Sequence, residues 1–335
     1  MKQKKFLIVR PDRIGDVVLS TAIPREIKQT WQDSYVVVLV RSYTKDIYLN
    51  NPFVDEVIEL EKLKGKDFIR AVVKIRKYKF THALMLLPNE WINYALFFAG
   101  IKTRVGVGHK FYQAITFVKS VSRQKYIPLR HEADYCMDLA RKIGVKSENI
   151  NPEIHLTYNE LKEVETVRKS LLNEKKYLVG VHSTSGNSAP NWSTDNYFNL
   201  ISELKKNNSI QIVITDVDIP EQLKNIDDVI YPSKDLSLRD WFAYFASMDI
   251  LISSSTGPMH ICTALNVKTV SLFCQLTACS PKLWGPLGNT NKVLLPSERY
   301  LELHSNEDPK DWTLDGNDGI GVQQVISAVN GLLGM

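Results

Sequence analysis

Short runs of apolar, largely β-branched residues alternate along this chain with amphipathic stretches of helical length, and the alternation occurs in two successive series. Strand, helix and strand in repetition is the pattern of a parallel sheet covered by helices on both faces. In the first series, strands are expected at 6–10, 35–40, 54–60, 82–87 and 104–108, with helices at 16–29, 66–78, 90–99 and 131–143. A polar stretch at 144–159 interrupts it. A charged helix then leads into a second series, with strands at 177–182, 210–215, 249–253, 269–273 and 292–295 and helices at 195–206, 238–247 and 258–265. At 335 residues the chain also exceeds the roughly 250–300 residues at which one core stops growing. The expectation is therefore an α/β protein of two doubly wound domains, 1–157 and 158–318, followed by a C-terminal helix, 319–335. Two such domains facing each other leave a cleft, and ligands of these sheets bind beyond the carboxyl ends of the strands.

Composition narrows the class of protein. The chain is 44% hydrophobic and 24% charged, ordinary for a globular domain and far from a disordered one. Only four apolar residues, Phe6 to Val9, follow the basic N-terminus, too few for a signal-peptide core. No apolar stretch approaches the roughly 20 residues that cross a bilayer. Cys136, Cys262, Cys274 and Cys279 form no C-x-x-C pair, which argues for reduced thiols in the cytoplasm and against a zinc site. The net charge of +5 hides an asymmetry. Residues 1–150 carry 27 Lys and Arg against 15 Asp and Glu, whereas the remainder carries 15 against 22. The first half is built to meet something anionic. No nucleic-acid-binding signature accompanies its dispersed basic residues, so nucleic acid is not expected, and a phosphorylated lipid or a headgroup surface fits.

Four loops at strand ends carry candidate chemistry. Arg10-Pro-Asp-Arg-Ile-Gly-Asp16 joins the first strand to the first helix. Asp16 there could take a proton from an attacking hydroxyl or merely cap the helix, and Asp12 is a second candidate base. Ile252-Ser-Ser-Ser-Thr-Gly-Pro-Met-His260 has hydroxyls at Ser255 and Thr256, a glycine at 257, and Pro258 at a first helical position. It could cradle a diphosphate or be an ordinary capped helix, with His260 packed in support. Ser183, Thr184 and Ser185, in the hydroxyl-rich stretch up to Trp192, could close on the same phosphates or form a polar turn. The stretch from Gln275 to Pro286 could shape a sugar pocket or be a surface loop. Asp216-Val-Asp218 has the Asp-x-Asp spacing of a metal–diphosphate site, but here it follows a strand of a doubly wound domain, where two such carboxylates are commonly solvated.

In this order the segments resemble the ADP-heptose:lipopolysaccharide heptosyltransferases, glycosyltransferase family 9. The resemblance lies in FLIVRPDRIGDVVLSTAIPREI, AGIKTRVGVG, HEADYCMDLARKIG, HSTSGNSAPNWSTDNYFNLISEL and SLRDWFAYFASMDILISSSTGPMHICTALNVKTVSLF, which together span nearly the whole chain. It implies a GT-B fold of two Rossmann-like domains, the first holding the acceptor and the second the nucleotide sugar. It also implies inversion at the anomeric carbon with no metal and no cofactor. Carried over by position, the catalytic Asp falls on Asp16 and the phosphate-binding Thr-Gly on Thr256 and Gly257, with Leu236 to Leu238 lying beside the base. Ser183, Thr184, Ser185, Leu236, Ser255, Thr256, Gly257 and His260 become the expected donor residues, and Arg10, Arg13 and Gly15 the expected acceptor residues. The expected partners are ADP-heptose or a similar nucleotide sugar and an acidic glycolipid, met by a peripheral protein at the inner face of the cytoplasmic membrane. A non-catalytic nucleotide-sugar-binding or scaffold protein of the same fold, or a glycosyltransferase with a different nucleotide-sugar donor, is the alternative. The chain departs from the family's common pattern in having Ser255 where Asp precedes the Thr-Gly, and Pro190 where a Lys stands two residues before the Trp.

Overall fold

The computed structural model describes residues 3–64, 67–186, 189–309 and 311–335. The chain divides into two compact units, Met1–His155 and Leu156–Met335. The first unit runs β1 (Lys5–Val9), α1 (Ile14–Val18), α2 (Ala22–Thr30), β2 (Tyr35–Val40), β3 (Glu56–Glu59), α3 (Leu60–Lys64), α4 (Phe68–Tyr78), β4 (His82–Met85), α5 (Glu90–Phe98), β5 (Thr103–Val107), α6 (Phe111–Ile115), β6 (Lys119–Val121) and α7 (Glu132–Arg141). The second runs α8 (Tyr158–Leu172), β7 (Tyr177–His182), α9 (Thr194–Leu204), β8 (Ile210–Ile214), β9 (Val229–Ile230), α10 (Leu238–Ser247), β10 (Ile250–Ser254), α11 (Gly257–Ala264), β11 (Lys268–Leu272), α12 (Pro281–Trp284), β12 (Asn291–Leu294), α13 (Glu298–Leu303) and α14 (Val322–Leu333).

The sheets are ordered β3-β2-β1-β4-β5-β6 and β12-β11-β10-β7-β8-β9, and every strand pairing is parallel. Both sheets have the same order when strands are counted within their own unit. In each, the direction of winding reverses beside the first strand, where β1 meets β4 and where β7 meets β10. The loops leaving those strands flank the crevice in which doubly wound sheets bind ligands. The central strands are covered on both faces, so they read as continuous apolar runs: Phe6 to Val9 and Val36 to Val40 are essentially inaccessible.

Local sequence sets the helix ends. Asn89 accepts from the Ile92 amide to start α5, Ser193 accepts from Asn196 to start α9, and reciprocal Ser237–Asp240 bonds box the start of α10. The helix expected at 16–29 is instead two helices. Pro24 has no N–H to return to the Ser20 carbonyl, and the Ser20 and Thr21 hydroxyls fold back onto the Val17 and Val18 carbonyls, both at 2.7 Å. Strands β6 and β9 went unanticipated because three and two residues are too few to show an alternation. Lys66, expected to open a helix, lies outside the described residues, as do Asn187 and Ser188 of the hydroxyl-rich loop.

Gly180, in the middle of β7, lies against side chains that a Cβ would have to displace. A Cβ there would run into the Met248 sulfur and come within 3.0 Å of Leu251 Cδ1. Overpacking of this kind costs about 1–3 kcal/mol, so Gly180→Ala should lower the unfolding free energy by that amount in a denaturant titration, while Gly100→Ala, which meets nothing within 4 Å, tests only the left-handed backbone. A Gly180→Ala chain as stable as wild type would refute the packing account.

Candidate active site

In the first unit the loop after β1 turns around a buried guanidinium. Arg10 is 2% exposed, and a charge so placed must find partners. Its Nη1 donates to the Leu86 carbonyl, just past β4, at 3.0 Å, tying together the two strands of the crevice. Its Nη2 donates to Asp16 Oδ1 at 2.6 Å and to Glu132 Oε1 at 3.3 Å, and its Nε lies 3.6 Å from Asp12 Oδ2. Glu132, the first residue of α7, is equally buried. Arg123 grips it at 2.5 and 2.7 Å, and the Cys136 thiol donates to it at 3.5 Å.

Asp16 stands in the first turn of α1, but the N-cap is Arg13 and no side chain caps the helix. The Asp16 carboxylate bonds Arg10 instead and retains 21% exposure. Burial raises its pKa to about 6; Asp12 and Glu132 push the same way and Arg10 opposes them. The result is a partly accessible carboxylate, held in place, that is ionised at neutral pH and still able to accept a proton. Arg13 is exposed and Gly15 half-buried. The loop backbone around them is pinned by Arg41, which donates to the Pro11 carbonyl at 3.1 Å, and by Tyr43, which donates to the Asp12 carbonyl at 3.1 Å.

In the second unit the loops after β7 and β10 occupy the corresponding crevice. Thr256 is the N-cap of α11, makes no side-chain capping bond, and is 6% exposed. Its hydroxyl has no hydrogen-bond partner among the described residues, and neither do those of Ser253 and Ser254 immediately before it. Buried hydroxyls left in this state call for an explanation such as a ligand or water. Gly257 and Pro258 open the helix, whose first-turn N–H groups lack intrahelical acceptors. Ser255 is half-buried and His260 is buried. Leu236, two residues before α10, is half-buried.

Ser183 and Thr184 behave differently from expectation. Asp216 accepts from the Ser183 amide and hydroxyl at 2.8 and 2.9 Å, and from the Thr184 amide and hydroxyl at 2.9 and 2.7 Å. In this arrangement neither hydroxyl has a proton left for a phosphate; they hold the loop shape, and only their lone pairs face other partners. Ser185 donates to the Ala189 carbonyl at 3.1 Å. Asp216, raised in the sequence as a metal ligand, is 4% exposed and spends its oxygens on these four donors. Among the described residues no group of three or more His, Cys, Asp or Glu side chains could hold a metal. Beyond the end of β8 a cavity of about 660 Å³ is lined by Asp216, Asp218, Ile219, Lys224, Tyr231 and Lys234 among others. The stretch from Gln275 to Pro286 is no loose loop: it contains α12, and the Trp284 indole donates to the Ala278 carbonyl at 2.9 Å.

Residues 69–311 match the family model described as glycosyltransferase family 9 (heptosyltransferase). A Haemophilus influenzae protein carrying a provisional glycosyltransferase name is 27% identical over 305 residues, 86% of this chain and 88% of that one. Among solved structures, a family 9 glycosyl transferase of Veillonella parvula superposes with a TM-score of 0.80 at 19% identity, covering 98% of this chain and 97% of the other. The ADP-heptose lipopolysaccharide heptosyltransferase II of E. coli gives 0.76 at 18% identity and 98% of each chain. The likeness carries the GT-B fold, and the family match covers most of the sequence. The chain belongs to glycosyltransferase family 9 and is a glycosyltransferase.

Two outcomes are expected of the site as folded. Asp216→Ala strands four donors, and each buried donor left unsatisfied costs about 1–3 kcal/mol; a loss of several kcal/mol in urea unfolding is expected, and a loss under about 1 kcal/mol would show that the loop does not depend on Asp216. The folded Asp16 carboxyl keeps its proton to higher pH than the unfolded one (ordinarily 3.8, folded about 6), so ionising it costs stability. The cost is absent below pH 3.8, grows between 3.8 and about 6 and is complete above. Melting curves of wild type and Asp16→Asn should therefore shift in favour of the asparagine variant as pH rises through that window; parallel curves would mean that the carboxyl is not perturbed.

Proposed function

We propose that this family 9 member moves a sugar of the heptose type from a nucleoside diphosphate donor, ADP in the first instance, to a hydroxyl of a lipopolysaccharide core or related acidic glycolipid, with inversion and without a metal. The observation that carries the reading is Asp16: a held, partly open carboxylate poised near pH 6 in the loop at the crevice of the first sheet. The acceptor oxygen attacks the anomeric carbon while Asp16 takes its proton. The bond from that carbon to the diphosphate breaks on the opposite face, and its electron pair leaves with the phosphate oxygen. Arg13 and the Gly15 backbone are the proposed acceptor contacts, with Arg10 acting through Asp16.

The negative charge that develops on the leaving diphosphate is assigned to the start of α11. There the Thr256 hydroxyl, the Gly257 backbone and the helix dipole stand ready before reaction, as preorganised stabilisation requires. His260, buried in the same turn with its amide donating to the Thr256 carbonyl at 3.4 Å, is assigned to its support, and the loop of Ser183 to Ser185 to the rim. Solved relatives containing ADP and ADP-2-deoxy-2-fluoro heptose, both of E. coli heptosyltransferase WaaC, favour a nucleotide-sugar donor. The cavity beyond β8, with Tyr231 and Ile219 on its wall, suits the base, near Leu236. Saturation of Asp216 by four protein donors favours catalysis in which the helix end, not a cation, faces the phosphates. No helix among the described residues is long and apolar enough to cross a membrane, which is compatible with a peripheral enzyme meeting a lipid-borne acceptor at the inner face of the cytoplasmic membrane.

A second reading keeps the chemistry and changes the donor. Ser255 cannot accept the paired hydrogen bonds that a carboxylate would, and Pro190 brings no cation, so sugar preference is expected to be altered or relaxed. Thermal-shift screening with ADP-, UDP-, GDP- and dTDP-sugars separates the readings, since only a bound ligand raises the melting temperature by mass action; binding of none below millimolar concentration would leave a scaffold protein. With the donor in hand, Asp16→Asn should lower turnover by roughly 100- to 10,000-fold with ADP affinity unchanged. In wild type kcat/KM should rise with pH through about 6, as Asp16 gives up its proton. Activity lost in EDTA and restored by Mg or Mn would overturn the metal-free mechanism.

A further inference from the structure

The edge of the first sheet carries a surface that transfer of a sugar does not require. From Trp91 to His131 the chain contains no Asp or Glu but seven Lys and Arg. Three of these are already committed: Arg104 is buried, Arg123 pairs with Glu132, and Arg130 pairs with Asp134. The other four, Lys102, Lys110, Lys119 and Lys125, are exposed, and none meets a carboxylate among the described residues.

Among these lysines, large apolar side chains stand in water. Phe111 is 80% exposed, Ile115 47%, Phe117 79% and Ile127 71%. Helix α6 connects β5 to the edge strand β6, and its buried side is polar. Gln113 is inaccessible and donates to the Val107 carbonyl at 3.1 Å, and Thr116 bonds Asn93 at 2.9 Å. Phe111 and Ile115, one helical turn apart, share the opposite face. The polarity of this short helix is thus inverted relative to a helix that packs on a core. Phe117 follows at φ 56°, a left-handed conformation bulky residues rarely adopt.

We propose that α6 and the turn after it, with Phe111, Ile115 and Phe117, insert into the headgroup region of an anionic bilayer while Lys102, Lys110, Lys119 and Lys125 contact its phosphates. Apolar side chains on a short element, in a stretch with four unpaired lysines and no Asp or Glu of its own, match an interfacial anchor. An acidic protein partner would engage the lysines but would leave no reason for two phenylalanines to stand nearly fully in water. The inference names the element through which the proposed enzyme meets its membrane, and it rests on the lipid-borne acceptor only for its purpose, not for its geometry.

The test is co-sedimentation of the full chain with vesicles of phosphatidylglycerol and phosphatidylethanolamine, against vesicles of phosphatidylcholine alone. Wild type should bind the anionic vesicles in preference and release as salt shortens the Debye length from about 10 Å at 0.1 M toward 3 Å at 1 M. Phe111→Ser with Phe117→Asn, the asparagine chosen to suit the left-handed backbone, should weaken binding roughly tenfold per phenylalanine; Lys110→Gln with Lys119→Gln should flatten the salt dependence. Neither pair should change ADP binding by calorimetry, so a donor site that fails and a membrane surface that fails are told apart. Equal binding to both kinds of vesicle, or serine–asparagine and wild-type chains that bind alike, would overturn the proposal; so would tighter binding to duplex DNA than to anionic vesicles at the same salt.

Discussion

A single buried guanidinium organises the first unit's site. Arg10 cannot reach water, so the fold must supply it with anions and carbonyls, and it draws these from four separate places: its own loop, the end of β4, the start of α1 and the start of α7. Breaking one partner of such a set is costly because a charge is left behind without compensation. The same set fixes where Asp16 stands and how tightly it holds a proton. Burial and two neighbouring carboxylates favour the protonated form, the arginine favours the anion, and the outcome sits between an ordinary aspartate and a neutral acid. Position and basicity are thus two readings of one electrostatic arrangement.

The second unit solves a related problem with the charges reversed. Asp216, just past the end of β8, gathers the amides and hydroxyls of the neighbouring loop, whereas the Ser253, Ser254 and Thr256 hydroxyls leading into α11 have no partner among the described residues. One loop is satisfied internally; the Thr256 hydroxyl beside the other is not, among the described residues.

Much of this was legible in the sequence. The period of the apolar runs placed nearly every long strand and helix within a residue or two, because continuous burial leaves continuous hydrophobicity, and the strand-end loops followed from the topology of parallel sheets. The break between α1 and α2 was also written there, in Ser20, Thr21 and Pro24, but each of these is tolerated near a helix start and so none reads as a stop alone. What could not be read were pairings across long separations. Glu132 lies 122 positions from Arg10, and nothing local to HEADYC indicates that its glutamate is buried against an arginine at the opposite end of the domain. Likewise the Asp-x-Asp spacing at 216–218 invites a metal, and only the fold reveals that the serine and threonine 33 and 32 positions earlier have claimed that carboxylate.

The strands at the rims of the two sheets have a consequence of a different kind. β3, β6, β9 and β12 run four, three, two and four residues, whereas the inner strands run five or six, apart from β4 with four. Three of the four rims also carry charge in the strand itself, at Glu56 and Glu59, Lys119 and Lys292. An unpaired rim is a template on which another chain can add a strand, and brevity and charge are what discourage it. A chain with phenylalanines standing in water needs that protection: collisions brought about by its sticky side chains find no length of backbone on which to grow into an aggregate.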